Sequence, residues 1–448
     1  MFMTSLPKTA YFITILLFAM PARAVTINID TDRADKSVFD GKIDNGTTEL
    51  TITGRAPSAL LRHITELAPR LKALDLGALT LTPAEIPAYS FTGSSIESVA
   101  LPEALVSIGE GAFAGSEIKS IKLPAGLDSV SGYAFHQCIK LQSTELPHSL
   151  RIIGNNAFSG CTSMQLSGAF PEALEIIGSQ AMTGSGITTA DMQNCKQLKH
   201  IGSFAFSSCK SLVSAIMPHY PVTIDEGAFM NCTSLTSINA HIKTVPPLML
   251  AAATAVESLS FMSESQTSQI GSYAFSGIKS VTSAELPEEI EYIGNNAMER
   301  MYGLTDIYAT KLKSVPELGE NVWASTLQKN ISLHTTADMA VSFRNAEQWN
   351  QFNIVNSDES GIGQLNSEDT GTTVLRFDGN TLYITSGNNI ERVTAHDING
   401  QSVHDKRVTP STNIAINISE WKIPGAYIVR VYQQHLPATT HPVIINNR

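Results

Sequence analysis

Residues 130–161 read VSGYAFHQCIKLQSTELPHSLRIIGNNAFSGC, and inside that stretch a phrase begins again. Ala134-Phe135 with Cys138 returns as Ala157-Phe158 with Cys161; Leu141, Leu146-Pro147, Leu150 and Ile153-Gly154 lie between. The Phe of the pair serves as a mark. It recurs at Phe113, Phe135, Phe158, Phe206, Phe229 and Phe275, with Phe91 ahead of the series. Met182 and Met298 hold the same place, Leu250 fills the one double gap, and Trp323 ends the run. The steps from 91 to 323 are 22, 22, 23, 24, 24, 23, 21, 25, 23 and 25. So regular a period identifies repeats before any element is assigned.

Each unit has its own grammar. After Ile118, the Ile121-x-Leu123 step predicts a short strand with its apolar residues on one side. Pro124 then ends pairing, because proline lacks a ladder donor. Gly109, Gly154, Gly178, Gly202, Gly271 and Gly294 predict a turn with positive φ. The Ala-Phe-x-x-Cys piece fits one helical turn. A coil of this length cannot bury its apolar side alone, whereas stacked coils share one core. Ten steps of ~4.8 Å would extend over roughly 48 Å, with one broad sheet face.

These residues resemble the BspA-like leucine-rich repeats of Bacteroidetes surface proteins, over residues 91–333. Residues 25–90 look like that family's N-terminal cap and first repeat. Within them Glu49–Thr53 reads as a strand, Ser58–Leu67 as an amphipathic helix capped by Ser58, and Leu71, Leu74 and Leu76 as the first repeat-like strand. Residues 334–356, with Trp349, Phe352 and Ile354, would close the other end. The resemblance implies a scaffold, and a role in adhesion to host matrix proteins, host cells or other bacteria.

The flanks are different in kind. Lys8, the apolar run Thr9–Met20 and Ala22-Arg23-Ala24 predict a signal peptide over residues 1–24, too short to span a bilayer as a helix. Residues 357–373 are polar and read as a linker. Residues 374–448 alternate short strands with turns: 374–377, 382–385, 392–397, 414–418, 427–432 and 443–445. This tail is similar to the type A sorting domains of the Bacteroidetes type IX secretion system, on Asp397-Ile398-Asn399-Gly400 and Gly425-Ala426-Tyr427-Ile428-Val429-Arg430-Val431. It lacks Tyr-Pro-Asn-Pro near its start and a late Lys. The resemblance makes Gly400, Gly425 and Tyr427 its sorting motif and the secretion machinery its partner. The expected class is mainly β with short helical turns: a leucine-rich-repeat solenoid, then a small immunoglobulin-like β-sandwich.

Composition narrows the function. The chain has 448 residues, 43% hydrophobic and 16% charged, with Lys+Arg 30 against Asp+Glu 41 and a net charge of −11. No dense basic cluster appears, so nucleic acid is a poor partner. The expected location is secreted or at the outer-membrane surface, with no transmembrane helix after signal cleavage. No H-E-x-x-H, G-x-S-x-G, G-x-x-x-x-G-K-[ST] or G-x-G-x-x-G occurs, so no enzyme, cofactor or metal site is expected. Of the five Cys, Cys138, Cys161, Cys209 and Cys232 each follow a mark by three residues. They read as core thiols, with the pairs 138–161 and 209–232 within reach of a disulfide between neighbouring coils. His136 beside Cys138 reads as no nucleophile pair, since residues two apart face different ways on a helical turn. Glu103, Glu172, Glu288 and Glu289 recur after the strand Pro, as solvated turns or an acidic face. Tyr133, Phe204 and Tyr273 sit just before their marks and form the candidate aromatic row. The expected function is a non-enzymatic, adhesin-like protein binder, with glycan capture for nutrition as the alternative.

Overall fold

The computed structural model describes residues 22–260, 267–356, 373–378, 381–397, 401–418, 421, 425–434 and 438–445. Most of the expected leader and the linker lie outside them. The chain divides into two units, Met1–Asp358 and Glu359–Arg448.

In the first unit the coils feed two rows of short parallel strands. One row starts with Arg23–Asp30 against Thr47–Pro57 and continues through Ala73–Asp75, Ser98–Ala100, Ser120–Ile121, Ser143–Thr144 and Gln165–Leu166. Thr189–Asp191, Ser214–Ile216 and Ser237–Asn239 form the next group, and Ser283–Glu285 through Asn353–Asn356 the last. The second row carries the Ile-Gly segments, from Glu85–Ile86 to Glu317–Leu318. Inward residues of both rows feed one core, which also holds every mark. The phenyl rings pile in offset stacks. Phe91–Phe113, Phe113–Phe135, Phe135–Phe158 and Phe206–Phe229 have centroids 5.2, 5.3, 5.2 and 5.2 Å apart. Phe275, Met182, Leu250, Met298 and Trp323 are buried as well.

The turn around each mark is not helical. Tyr133 and Gln137, two residues either side of Phe135, both have φ of 58°. The left-handed pair repeats at every mark, from Tyr89 and Gly93 to Asn321 and Ser325. The reason lies in the donors. A helical turn would use its N–H groups internally. Here Tyr133, Phe135 and Gln137 donate to Asn155, Ala157 and Ser159 of the next coil, at 2.8, 2.8 and 2.7 Å. The residues between them close local turns instead.

The repeat glycines also differ from the sequence expectation. Gly109, Gly154, Gly178, Gly202, Gly271 and Gly294 are not among the left-handed residues. They are needed for close approach: a Cβ on Gly154 would lie 2.5 Å from the Gly132 nitrogen, and one on Gly202 would lie 2.5 Å from the Ser179 nitrogen. In the N-terminal cap, residues 58–63 form a 3-10 helix and only 64–67 an α-helix. Ser58 does not cap, because the strand runs on through Pro57 and Ser58 becomes the first helical residue.

At the far end, helix Ala337–Asn345 is capped by Thr336, whose side chain accepts from the Met339 N–H. Trp349 packs edge-on against Trp323 and Phe343, and Phe352 against Trp323. Asn353–Asn356 adds the last parallel strand.

All five cysteines are buried free thiols. The thiols of Cys138, Cys161, Cys209 and Cys232 donate at 3.0 Å to the carbonyls of Phe113, Phe135, Met182 and Phe206, the mark one coil back. Thr326 makes the same bond to Met298. The slot is buried in every coil: Ser94, Ser116 and Ser185 occupy it elsewhere, and Ala253, Ile278 and Met301 fill it without a donor. Burial pushes the thiols up, Cys209 to about 11 and Cys195 to about 12. The native state therefore keeps them neutral while the unfolded chain ionises at about pH 8.5. Their contribution is full below that pH and is lost as the pH rises past it. Thermal melts should fall steadily above about pH 8.5 and be unchanged by reductant, and Cys161→Ser should cost no more than about 1 kcal/mol. A melt lowered by reductant at neutral pH would indicate bridges instead.

The second unit is a five-stranded antiparallel sheet: Thr373–Asp378, Thr381–Asp397, Ser402–Asn417, Gly425–Gln433 and Thr439–Ile445. The segments 382–385 and 392–397 belong to one long strand, interrupted by register shifts between Thr385 and Arg392. Its first half pairs with Thr373–Asp378 and its second with Gly425–Gln433. Leu382, Ile384, Val393, Ala395, Ile416, Val429 and Val431 share one core, which is how so small a β-module closes.

Candidate recognition surface

The first strand row fixes an outward face by register. Ser98, Ser120, Ser143 and Gln165 lie side by side, as do Thr189, Ser214 and Ser237, and then Ser283, Asp306, Ser332 and Asn353. These positions face solvent because the intervening Val99, Ile121, Ala190, Ala215 and Ile238 face the core. The result is a row of short hydroxyl side chains. Toward its C-terminal end it becomes aromatic: Tyr308 stacks on His334 at 4.6 Å, and His334 Nε2 lies 2.7 Å from Asp306 Oδ1. Spacing alone gave no hint of that cluster, since its members come from two coils; the alternation of the strands was the available signal.

Charges along the coils are paired between neighbours. Glu97 sits between Lys119 and Lys72, whose hydrogen bonds hold its carboxyl down to about 2. Asp128, Arg151, Glu175 and Lys199 form a chain of alternating sign, with contacts of 3.3, 2.7 and 2.7 Å. The recurring acids belong to the same scheme. Glu103 meets Lys122, Glu172 meets Lys196, and Glu288 and Glu289 share Lys313. They are salt-bridged turns, and such exposed pairs contribute little individually. Cys138 is turned away from any role with His136: its thiol is committed to the Phe113 carbonyl, while the His136 ring packs edge-on to Tyr133 at 5.5 Å.

Tyr133, Phe204 and Tyr273 all occupy the left-handed position two before the mark, with φ of 58, 58 and 57°. Tyr133 and Tyr273 are exposed and Phe204 is half-buried. The structure sets them on one column but does not bring them together. Asn156 and Gln180 intervene first, then Gly227 and Leu248. Tyr89 belongs to the same column, with φ of 60°. Its place two before Phe91 was the signal for it.

Residues 84–360 match the BspA type Leucine rich repeat region, in overlapping segments that together take in more than half the chain. The chain belongs to this BspA-type leucine-rich repeat family. Residues 379–446 match the Secretion system C-terminal sorting domain, which assigns the BspA-type chain a secreted or cell-surface location and the secretion machinery as a partner. Within that domain Tyr427 is buried and its ring lies 5.1 Å from Trp421, Gly425 opens a strand, and Gly400 lies outside the described residues. Among the described residues no helix is long and apolar enough to cross a membrane. A leucine-rich repeat protein from Bacteroides ovatus shares the fold at 21% identity and a TM-score of 0.52, covering 74% of this chain and 92% of that one. The pneumococcal vaccine antigen PcpA matches at 14% identity and a TM-score of 0.36, covering 75% and 89%. A leucine rich cell surface protein from Faecalibacterium prausnitzii matches at 18% and 0.31, covering 63% and 87%. No curated protein matches the BspA-type chain.

Proposed function

We propose that this surface protein is a non-enzymatic, adhesin-like binder whose sheet face contacts a protein of the host matrix, a host cell or another bacterium. The observation that carries this is the in-register row Ser98, Ser120 and Ser143, continued by Thr189, Ser214 and Ser237. Short side chains lose little rotamer freedom when covered, and many weak contacts sum over a broad solenoid face. The mature full chain should bind immobilised fibronectin or fibrinogen. Ser120→Arg combined with Ser214→Arg, both outside the core, should weaken that binding at least tenfold with an unchanged melting temperature. Equal binding by the double variant would remove the face from the reading. A second reading, glycan capture, is favoured by the exposed tyrosines of the left-handed column.

A further inference from the structure

We propose that the column through Tyr89, Gly111, Tyr133, Asn156 and Gln180 is a stacking platform for an extended, β-linked polysaccharide. This rests on the second reading and is independent of the sheet-face reading, which the Ser120 and Ser214 variants test separately.

The five residues hold one position on five consecutive coils, with φ of 60, 57, 58, 58 and 57°. The uniform backbone presents the same position at each successive coil. Tyr89 and Tyr133 are 58% and 43% exposed, so each offers ring surface to a ligand. Both rings are held. The Tyr89 hydroxyl donates to Glu110 Oε1 at 2.7 Å, and its ring lies on Gly111, where a Cβ would sit 2.7 Å from two ring carbons. Tyr133 is wedged edge-on against His136. Fixed rings spend little entropy on binding, and a tyrosine combines a flat apolar face with a polar edge. That is the complement of a pyranose, which has a C–H face and a rim of hydroxyls.

The spacing favours a polysaccharide over a peptide. The coils step by 5.2, 5.3 and 5.2 Å at the adjacent phenyl column. An extended β-linked pyranose chain advances by about one sugar per such step. Alternate sugars would then meet Tyr89 and Tyr133, with the Tyr89 ring reaching over Gly111 between them, and the next two would meet the amides of Asn156 and Gln180. Amides both donate and accept, which suits sugar hydroxyls. A proline-rich peptide needs aromatic-lined grooves, and this column supplies amides where it would need further rings. An α-linked glucan curls, so its sugars do not each advance by one such step.

The test is affinity electrophoresis of the full mature chain through gels containing β-1,4-glucan, β-1,3-glucan or amylose. Retardation by a β-glucan is expected, with weaker or no retardation by amylose. Tyr89→Ala and Tyr133→Ala should each weaken binding at least tenfold, Gln180→Ala less, and Tyr133→Trp should retain it, all with unchanged melting temperature. Absence of retardation in both β-glucans, equal retardation of the Tyr89→Ala/Tyr133→Ala double variant, preference for amylose, or tyrosine-dependent binding of a proline-rich peptide instead would each overturn the proposal.

Discussion

Phe206→Ala is expected to lower unfolding stability by about 3–5 kcal/mol, the range for emptying a large aromatic site in a core. Phe206 is fully buried, stacked on Phe229 at 5.2 Å and 2° and met edge-on by Phe170 at 6.0 Å. Stacked pairs add about 0.5–1.5 kcal/mol beyond area burial, and truncation removes both partners' contacts at once. The coils on either side are tied to each other through backbone, so the hole cannot close by collapse. In a solenoid each repeat touches only its neighbours. The loss should therefore fall on the junctions with the coils of Met182 and Phe229. Urea titration gives the magnitude, and hydrogen exchange should show amides near 182–229 opening while distant coils stay protected. Phe206→Leu should cost much less, because Leu250 fills the equivalent site. A loss below about 1 kcal/mol, the ordinary value for an unremarkable substitution, would mean that the ring column is not what holds the coils.

Gly154→Ala should be nearly as damaging although it adds only a methyl group. The new Cβ would stand 2.5 Å from the Gly132 nitrogen and 2.7 Å from the Ser131 carbonyl carbon, both backbone atoms of the previous coil. No rotamer relieves that. The two coils must separate, and the 2.8 Å hydrogen bond from the Gly154 N–H to the Val130 carbonyl lengthens with them. Overpacking of this kind costs about 1–3 kcal/mol, sometimes more. Gly126→Ala is the control: nothing lies within 4 Å of a Cβ there, so the change should stay within about 0.5 kcal/mol. Equal melting temperatures for the two variants would refute the close-approach account.

What the sequence reveals follows from what repeats in it. The marks, the Ile-Gly segments and the Leu-Pro stops are side-chain identities, so their period can be read directly, and the structure places all the marks in one core. The left-handed turns cannot be read this way. Their first position holds Tyr, Gly, Tyr, Asn, Gln and Phe in succession, residues with no shared chemistry, because the conformation is set by donors reaching to the next coil. Gly154 looks like a turn residue for a similar reason. A glycine required by a neighbour's backbone and one required by its own φ are the same letter, and only the position of the adjacent coil separates them. The outward face was legible as strand alternation. The pairing of Glu172 with Lys196 or of Asp306 with His334 was not, since each joins residues a full coil apart.

From Phe91 to Met298 the backbone donors at the mark and two residues either side of it point the same way, from one winding to its successor. Buried amides left without acceptors are costly, so a chain emerging from its N-terminus always ends in an unfinished rung that only later sequence can complete. At the last mark a side chain enters the local turn instead: Gln348 Oε1 accepts from the Val322 N–H at 3.0 Å, while its Nε2 donates to the Gly319 carbonyl at 2.8 Å, bridging two groups whose equivalents bond directly in other coils, as the Ala157 N–H does to the Gly154 carbonyl. A nascent or translocating molecule of this kind thus carries open N–H groups at its growing tip until the following winding is laid down.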